Sequence, residues 1–252
     1  MRKDGEKIRM KVLSILAWLP FLITIPVMSY ASERETYGDS PRLPEPMVFD
    51  LALPPGAKKN EYEYNTLTLF QYNFEDDALD WNPEFEYAYA DGYSVEVEFP
   101  VQNSSLEAYK LSLQGTFNVL RNSQFLHGWQ YIGEYYRHRK ELENTLLYLF
   151  GFQINQHWST LNMMGLRLSD ASSKGRLERL VNGSLFFSPS KNITMGFEVN
   201  WESRPYRSDR LLVMPQLHIP LTTHGSIQLG FGMLRADHQN FPDVASRIIF
   251  RF

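Results

Sequence analysis

Cysteine is absent from this 252-residue chain, and no long apolar run occurs after residue 28. Without cysteine there is no disulfide framework, no thiolate metal site, no cysteine nucleophile and no lipidated N-terminus. A spanning helix needs about 20 consecutive apolar residues, and the chain beyond residue 28 has no stretch of about 18 or more. Any membrane residence of the mature chain must therefore use strands.

A large charge excess is also lacking, because the formal net charge is only −4. No basic stripe with interleaved aromatic residues is present, so we expect no nucleic-acid partner. Hydrolase motifs of the Gly-x-Ser-x-Gly and His-Glu-x-x-His types are missing as well. Aromatic residues, in contrast, make up 14% of the chain, and Tyr and Trp are favoured where a ring lies at a bilayer boundary.

The N-terminus has the order of a secretory signal peptide. Residues 29–31, Ser-Tyr-Ala, follow the apolar run 12–28 and offer small residues at both positions that determine cleavage. An uncleaved anchor is the alternative, but two prolines interrupt a run already near the short limit for a spanning helix. We therefore expect residues 1–31 to be a cleaved signal peptide. The basic residues before the apolar run are Arg2, Lys3, Lys7, Arg9 and Lys11.

Residues 32–60 form a separate segment that is rich in proline and has no sustained hydrophobic period. We expect this segment to be a periplasmic extension. Its one apolar patch, residues 47–53, could form a short strand or could fold into a lumen as a plug, and the sequence favours neither.

From residue 61 onward the chain alternates between apolar and polar residues in runs of around ten, the length of a tilted strand that crosses a bilayer. An even number of such strands leaves both termini of a bacterial barrel on the periplasmic side. The twelve predicted strands are residues 61–74, 81–90, 93–102, 108–120, 125–137, 145–155, 158–169, 176–188, 192–202, 210–221, 226–236 and 244–252.

The predicted connections alternate between short and long, as an up-and-down barrel requires. Asp91-Gly92 is the clearest hairpin turn among the short ones. We expect the short links to face the periplasm and the long, charged links to face the cell exterior. The short links are 91–92, 121–124, 156–157, 189–191 and 222–225, and the long links are 75–80, 103–107, 138–144, 170–175, 203–209 and 237–243.

The final strand, 244–252, alternates strictly and ends on an aromatic residue. It resembles the C-terminal insertion signal of bacterial outer-membrane β-barrels, which implies that Phe250 and Phe252 direct insertion. A soluble β-sandwich would also give alternating strands. The barrel is preferred because it additionally accounts for the terminal aromatic, the near-constant strand length and the alternating links.

If the apolar face of each strand contacts lipid, the polar face lines the lumen. We expect acidic residues on one wall and basic residues on another to create a field across a water-filled lumen that orients a polar solute. Simple cross-strand pairing of these charges is the alternative. Arg247 and Arg251 would neighbour Glu61 and Glu63 if the first and last strands pair. The predicted lumen-lining residues are Glu84, Glu86, Glu96, Glu98, Lys110, Arg167, Glu198, His218, Arg247 and Arg251.

Residues 81–100 contain a Glu-Tyr strand, an Asp-centred turn and a second strand that ends in Pro100. This hairpin resembles the opening hairpin of the porin-like outer-membrane family labelled "MetA-pathway of phenol degradation", and the other strands resemble that family only in their rhythm. Members of the family are regarded as transport barrels. The resemblance therefore implies passage of small molecules, aromatic or acidic ones among them.

An enzymatic alternative comes from a family of outer-membrane phospholipases with twelve strands, which use Ser and His oriented by Asn. His157, Ser159 and Asn162 invite that comparison. However, Thr160-Leu161 stands where that family continues with Asn-Gly, and His157 lies in a predicted periplasmic turn rather than at the outer rim. We therefore predict no catalytic, cofactor-binding or metal-binding residue.

Together these patterns predict an all-β protein, a twelve-stranded antiparallel up-and-down transmembrane β-barrel in a Gram-negative outer membrane. The predicted function is that of a passive porin-like channel or transporter for small solutes. A lipid hydrolase and a non-conducting structural or surface-binding barrel are the alternatives. The expected partners are outer-membrane lipids, the barrel-insertion machinery and a small solute, and we expect a monomer.

Overall fold

The computed structural model describes residues 43–49, 51–72, 78–117, 124–169, 175–205 and 208–252. The predicted signal peptide and residues 32–42 of the predicted extension lie outside this part of the chain. So do most of the links predicted at 75–80, 121–124 and 170–175. Among the described residues, no helix is long and apolar enough to cross a membrane.

All regular structure in the described residues is β-structure, as the alternating sequence pattern predicts. Twelve strands are long, and two, β4 and β5, have two residues each. The strands are β1 Tyr62–Gln71, β2 Ala78–Ala90, β3 Tyr93–Glu98, β4 Val101–Gln102, β5 Ser105–Leu106, β6 Ala108–Thr116, β7 Phe125–Tyr136, β8 Glu141–Gln153, β9 Trp158–Ser169, β10 Arg176–Ser190, β11 Ile193–Ser203, β12 Arg210–Pro220, β13 Gly225–Ala236 and β14 Gln239–Arg251.

The twelve long strands form one closed antiparallel ring. Each strand pairs with its neighbours in sequence, and β1 pairs with both β2 and β14, so the sheet has no free edge at its ends. The short strands β4 and β5 form a small hairpin that pairs with β2 outside the ring order. The predicted twelve-stranded antiparallel barrel is therefore confirmed.

Predicted boundaries are wrong at four of the long links. β2 begins at Ala78 and β8 at Glu141, inside the links predicted at 75–80 and 138–144. The predicted third strand, 93–102, is interrupted after Glu98, where Pro100 has no N–H to donate to a ladder. The link predicted at 237–243 is only Asp237-His238, because β14 begins at Gln239. Both turn residues have positive φ, 49° and 64°, as a two-residue type I′ hairpin requires. The polar residues Gln239, Asn240 and Asp243 belong to a strand that extends beyond the alternating region, whereas the sequence pattern assigned them to a loop.

The two faces of the barrel wall differ in the way that the strand period predicts. Phe85, Leu146 and Phe231 point outward and are 55%, 60% and 66% exposed. Glu84 and Glu96 point inward and are only 2% and 0% exposed. The outer surface is therefore apolar and suited to lipid, while polar side chains are enclosed.

Residues 43–49 and 51–57, which we call the interior segment, pack against inward-facing side chains. Met47, Leu51 and Ala52 have no exposed surface. The segment contributes to three apolar clusters, one with strands β7 to β10, one with β1, β12, β13 and β14, and a small one with Ala88 of β2. Part of the segment, residues 47–53, is the region that the sequence predicted to be either a short strand or a plug.

Candidate functional site in the barrel interior

Four buried carboxylates lie together on the inner faces of β2 and β3. The register of the hairpin places Glu84 opposite Glu98 and Glu86 opposite Glu96. This arrangement follows from strand alternation around the Asp91-Gly92 turn, because every second residue of both strands faces inward. The predicted inward group therefore forms one compact cluster.

Arg247 of β14 reaches this cluster from the closing strand. Its Nη2 lies 2.9 Å from Glu84 Oε2 and 3.7 Å from Glu86 Oε1, and its Nε donates to Asn65 Oδ1 at 3.0 Å. Closure of the barrel makes this possible, since only β1 separates β14 from β2. Arg247 is 2% exposed.

Arg251 and Lys110 complete the pairing on either side. Arg251 Nε donates to Glu63 Oε2 at 2.6 Å, which agrees with the adjacency predicted for the first and last strands. Lys110 Nζ lies 3.6 Å from Glu96 Oε1 and donates to Glu98. The acidic and basic residues therefore adjoin one another. The predicted placement of acidic residues on one wall and basic residues on another is wrong, because β14, β1, β2, β3 and β6 are neighbours in the ring and their charged side chains pair with one another.

Acidic side chains nevertheless outnumber basic side chains in the buried interior. Among the described residues, ten carboxyl side chains are buried, whereas Arg247 is the one buried side chain of Lys or Arg. Lys110 and Arg251 are partly buried and offset some of this charge. The buried acids are Glu45, Glu63, Glu84, Glu86, Glu96, Glu98, Glu143, Glu178, Glu198 and Asp243.

Glu198 of β11 is the principal polar contact between the barrel wall and the interior segment. Its carboxylate accepts hydrogen bonds from the backbone N–H groups of Met47, Val48 and Phe49 at 2.8, 3.2 and 2.9 Å. Side-chain amides of Asn182, Asn200 and Gln216 also donate to it, at 3.1, 2.8 and 3.2 Å. Six donors thus compensate a carboxylate with no exposed surface. Sequence parity indicates that Glu198 faces inward, but nothing in the sequence indicates its partner.

Other wall residues hold the remainder of the interior segment through its backbone carbonyl and N–H groups. Gln114 Nε2 donates to Leu53 O at 2.8 Å, and Gly56 N donates to Thr116 Oγ1 at 3.0 Å. Gly92 N donates to Ala57 O at 2.7 Å. At the other end, Arg251 Nη2 lies 3.5 Å from Glu45 Oε2. Polar contacts therefore occur along the segment from Glu45 to Ala57.

An apolar sector of the wall receives the hydrophobic side chains of the segment. Leu43 and Leu51 belong to one buried cluster with inward-facing residues of β7 to β10. Inward-facing glycines leave room, because a Cβ at Gly151 would overlap the Leu43 side chain and one at Gly230 would lie 2.8 Å from Met47 Sδ. The wall residues of this cluster are Leu126, Ile132, Leu147, Leu149, Leu161, Met163, Leu180 and Phe186.

This apolar sector was missed because its strands are apolar on both faces. In β8, Leu147 and Leu149 face inward while Leu146 and Tyr148 face outward. Strand alternation identifies the inward face by its polar residues, and these strands have no polar face. The continuous apolar run was the available signal, since a strand buried on both faces loses its alternation.

The remaining predicted residues, Arg167 and His218, make their side-chain contacts outside the carboxylate cluster, although Arg167 shares a cavity with Glu98 and Lys110. Arg167 Nη1 lies 3.5 Å from Glu178 and 3.4 Å from Glu202. Arg167 also borders a cavity of about 620 Å³ whose lining includes Val48 and Phe49 of the interior segment. His218 Nε2 lies 2.7 Å from Gln216 Oε1 and therefore lies next to a Glu198 partner.

Neither a metal site nor a catalytic dyad follows from these contacts. Carboxylate oxygens of Glu84, Glu86 and Glu96 lie within 4.8 Å of one another, but Arg247 already pairs with two of these residues. His157 Nδ1 contacts the carbonyl oxygen of Ser188 at 2.9 Å, and Ser159 faces the buried interior. The outward Phe250 and Phe252 are 44% and 75% exposed, and their role in insertion stays a prediction.

No protein-family model and no curated protein matches the chain. Similar solved structures are outer-membrane channels. The NanC porin has a TM-score of 0.63 at 7% identity, covering 74% of this chain and 98% of that one. The KdgM porin has a TM-score of 0.57 at 11% identity, with 73% and 97% covered. The COG4313 outer membrane channel from Pseudomonas putida F1 has a TM-score of 0.54 at 9% identity, with 79% and 97% covered. The fold is therefore that of outer-membrane porin-like barrels with transmembrane strands.

Proposed function

We propose that this protein is a passive porin-like channel of the Gram-negative outer membrane and that its interior segment closes the lumen as a plug. The observation that carries the proposal is a closed ring with an apolar exterior and a charged interior. If the barrel served only as a scaffold, apolar side chains could fill its lumen. Ten buried carboxylates are instead enclosed here, and such groups are suited to a space that water and ions can enter.

The nature of the plug contacts supports displacement of the segment. Glu198, Gln114 and Thr116 bond mainly to its backbone, and water can replace each of these hydrogen bonds. No covalent bond is needed to hold the segment, and the chain has no cysteine to form a disulfide. Opening would therefore need only an outward shift of the interior segment, with the barrel ring unchanged.

The proposed solute is a small molecule, and the charged side chains of the interior bear on the charge that it carries. One solved KdgM structure is described as a complex with disordered oligogalacturonate, but its 12% identity to this chain extends only to the fold. Acidic oligosaccharides would be repelled in this lumen, because its buried acids outnumber its buried bases. The hairpin resemblance to the "MetA-pathway of phenol degradation" family is compatible with small aromatic solutes, and membership of that family stays a prediction.

Ion conductance in planar bilayers tests the channel function. We expect the mature protein to conduct KCl and to prefer K⁺ over Cl⁻, because fixed carboxylates attract cations in a narrow lumen. The variant Glu96→Gln/Glu98→Gln should lose at least half of this preference. The matched control Asp209→Asn, which changes an exposed loop carboxylate, should keep it. Absence of conductance would instead favour a non-conducting barrel.

A further inference from the structure

We propose that the open lumen selects amphipathic cations, that is, small solutes with an apolar body and one positively charged group. This inference rests on the proposed channel function and adds a substrate class to it. It follows from two sectors of the wall that the interior segment contacts at the same time. One sector is acidic and the other is apolar.

The acidic sector retains an excess of negative charge when the segment is absent. Glu45 leaves with the segment, so the wall group consists of five carboxylates and three basic residues. Within the described residues, Glu86 Oε2 and Glu96 Oε2 are buried and have no hydrogen-bond partner. A buried carboxylate oxygen without a donor is unfavourable, and a cationic group can supply the missing donor. The residues of this group are Glu63, Glu84, Glu86, Glu96, Glu98, Lys110, Arg247 and Arg251.

Glu198 adds a further carboxylate to the open lumen. Three of its six hydrogen bonds come from Met47, Val48 and Phe49 of the segment. Displacement of the segment removes these three donors while the amides of the wall remain. The carboxylate is then available to a donor on a solute, and an ammonium group can replace several N–H donors at once.

The apolar sector occupies the strands across the ring. In the ring order, β10 lies six strands from β2, which is half of the circumference. The inward side chains of β8 to β10 in this sector have at most 3% exposed surface with the segment in place; they are Leu147, Leu149, Leu161, Met163, Leu180 and Phe186. Removal of the segment exposes this surface to water, and contact with an apolar solute would cover it again.

The interior segment demonstrates that one occupant can contact both sectors. Leu43 packs into the apolar cluster of β7 to β10, while Glu45, two residues away, is itself an acid and pairs with the basic Arg251 rather than with a wall carboxylate. Phe49 packs against that same cluster and donates its backbone N–H to Glu198 at 2.9 Å. A solute with an N–H⁺ group and a phenyl or alkyl group within a few ångströms could make the same two kinds of contact.

The combination excludes simpler classes of solute. An acidic aromatic would be repelled by the carboxylate excess, and a small hydrophilic cation would leave the apolar sector uncovered. Selectivity should therefore depend on both features of the solute. Each feature can be removed separately from the protein.

Bi-ionic reversal potentials of the mature protein in planar bilayers test this inference with three probes. These are phenethylammonium, 3-phenylpropionate and methylammonium. We expect phenethylammonium to permeate at least about tenfold better than 3-phenylpropionate, in line with electrostatic focusing in a charged cleft. It should also permeate better than methylammonium, which has the charge without the ring.

Two variants on β9 isolate the apolar contribution. Met163 is buried and faces inward, whereas its neighbour Met164 is 45% exposed on the outer face. Met163→Gln should reduce the advantage of phenethylammonium over methylammonium, and Met164→Gln should leave it unchanged. Equal permeability of the two cations, or a preference for 3-phenylpropionate, would overturn the inference while KCl conductance still supports a channel. Loss of all KCl conductance in the unmodified protein would overturn the channel function itself.

Discussion

Arg247 is the residue on which the electrostatics of the interior depend most. It is buried on β14, and it contacts Asn65 of β1 and both Glu84 and Glu86 of β2. The sequence indicates that Arg247 faces inward and that β14 meets β1. It does not indicate that the side chain extends past Asn65 of β1 and reaches β2, because the length and direction of a side chain are not part of the strand period.

Replacement of Arg247 by Met should destabilise the barrel strongly. The substitution keeps most of the apolar stem but leaves Glu84 and Glu86 without their cation, and removal of one partner of a buried ion pair costs about 3–5 kcal/mol. The matched control is Arg235→Met on β13, where the side chain is exposed. Urea-induced unfolding in detergent micelles measures both effects. Equal losses of free energy in the two variants would contradict the assigned role.

At the scale of elements, the strands and their order could be predicted, whereas the filling of the lumen could not. Alternation predicts every long strand because the outer face must be apolar along its whole length. Strand β8 shows the limit, since Leu147 and Leu149 face a protein segment rather than water. The hydrogen bonds between that segment and Glu198 join residues 149 to 151 positions apart, and a single sequence contains no local signal for them.

Inward-facing glycines should determine whether the interior segment can pack against the barrel wall. Gly151→Ala introduces a methyl group that overlaps the Leu43 side chain, so we expect the segment to be displaced from the apolar sector. Chymotrypsin should then cleave next to Phe49 or Leu51, which the native fold protects by burial. Gly133→Ala on β7 is the control, because its new Cβ would lie no closer than 3.3 Å to any neighbour. Unchanged protection in Gly151→Ala would argue against this role of the glycine.

At the scale of the whole molecule, composition conceals the distribution of charge. The formal net charge of −4 suggests little, yet the buried acids greatly outnumber the buried bases. The closed ring accounts for this contrast, because it separates an apolar exterior from an enclosed polar space. Location in the outer membrane, export through the predicted signal peptide, insertion through Phe252 and a monomeric state remain predictions at this scale.

In the proposed function, the interior segment closes a conducting lumen. The lack of native cysteine permits a direct test with the double variant Leu43→Cys/Gly151→Cys, which joins the segment to β8 where the two residues are in contact. The two single-cysteine variants are the controls for modification without a cross-link. We predict that the oxidised double variant does not conduct in planar bilayers and that reduction with dithiothreitol restores conductance. Equal conductance before and after reduction would contradict the claim, because ions would then pass a segment that cannot leave.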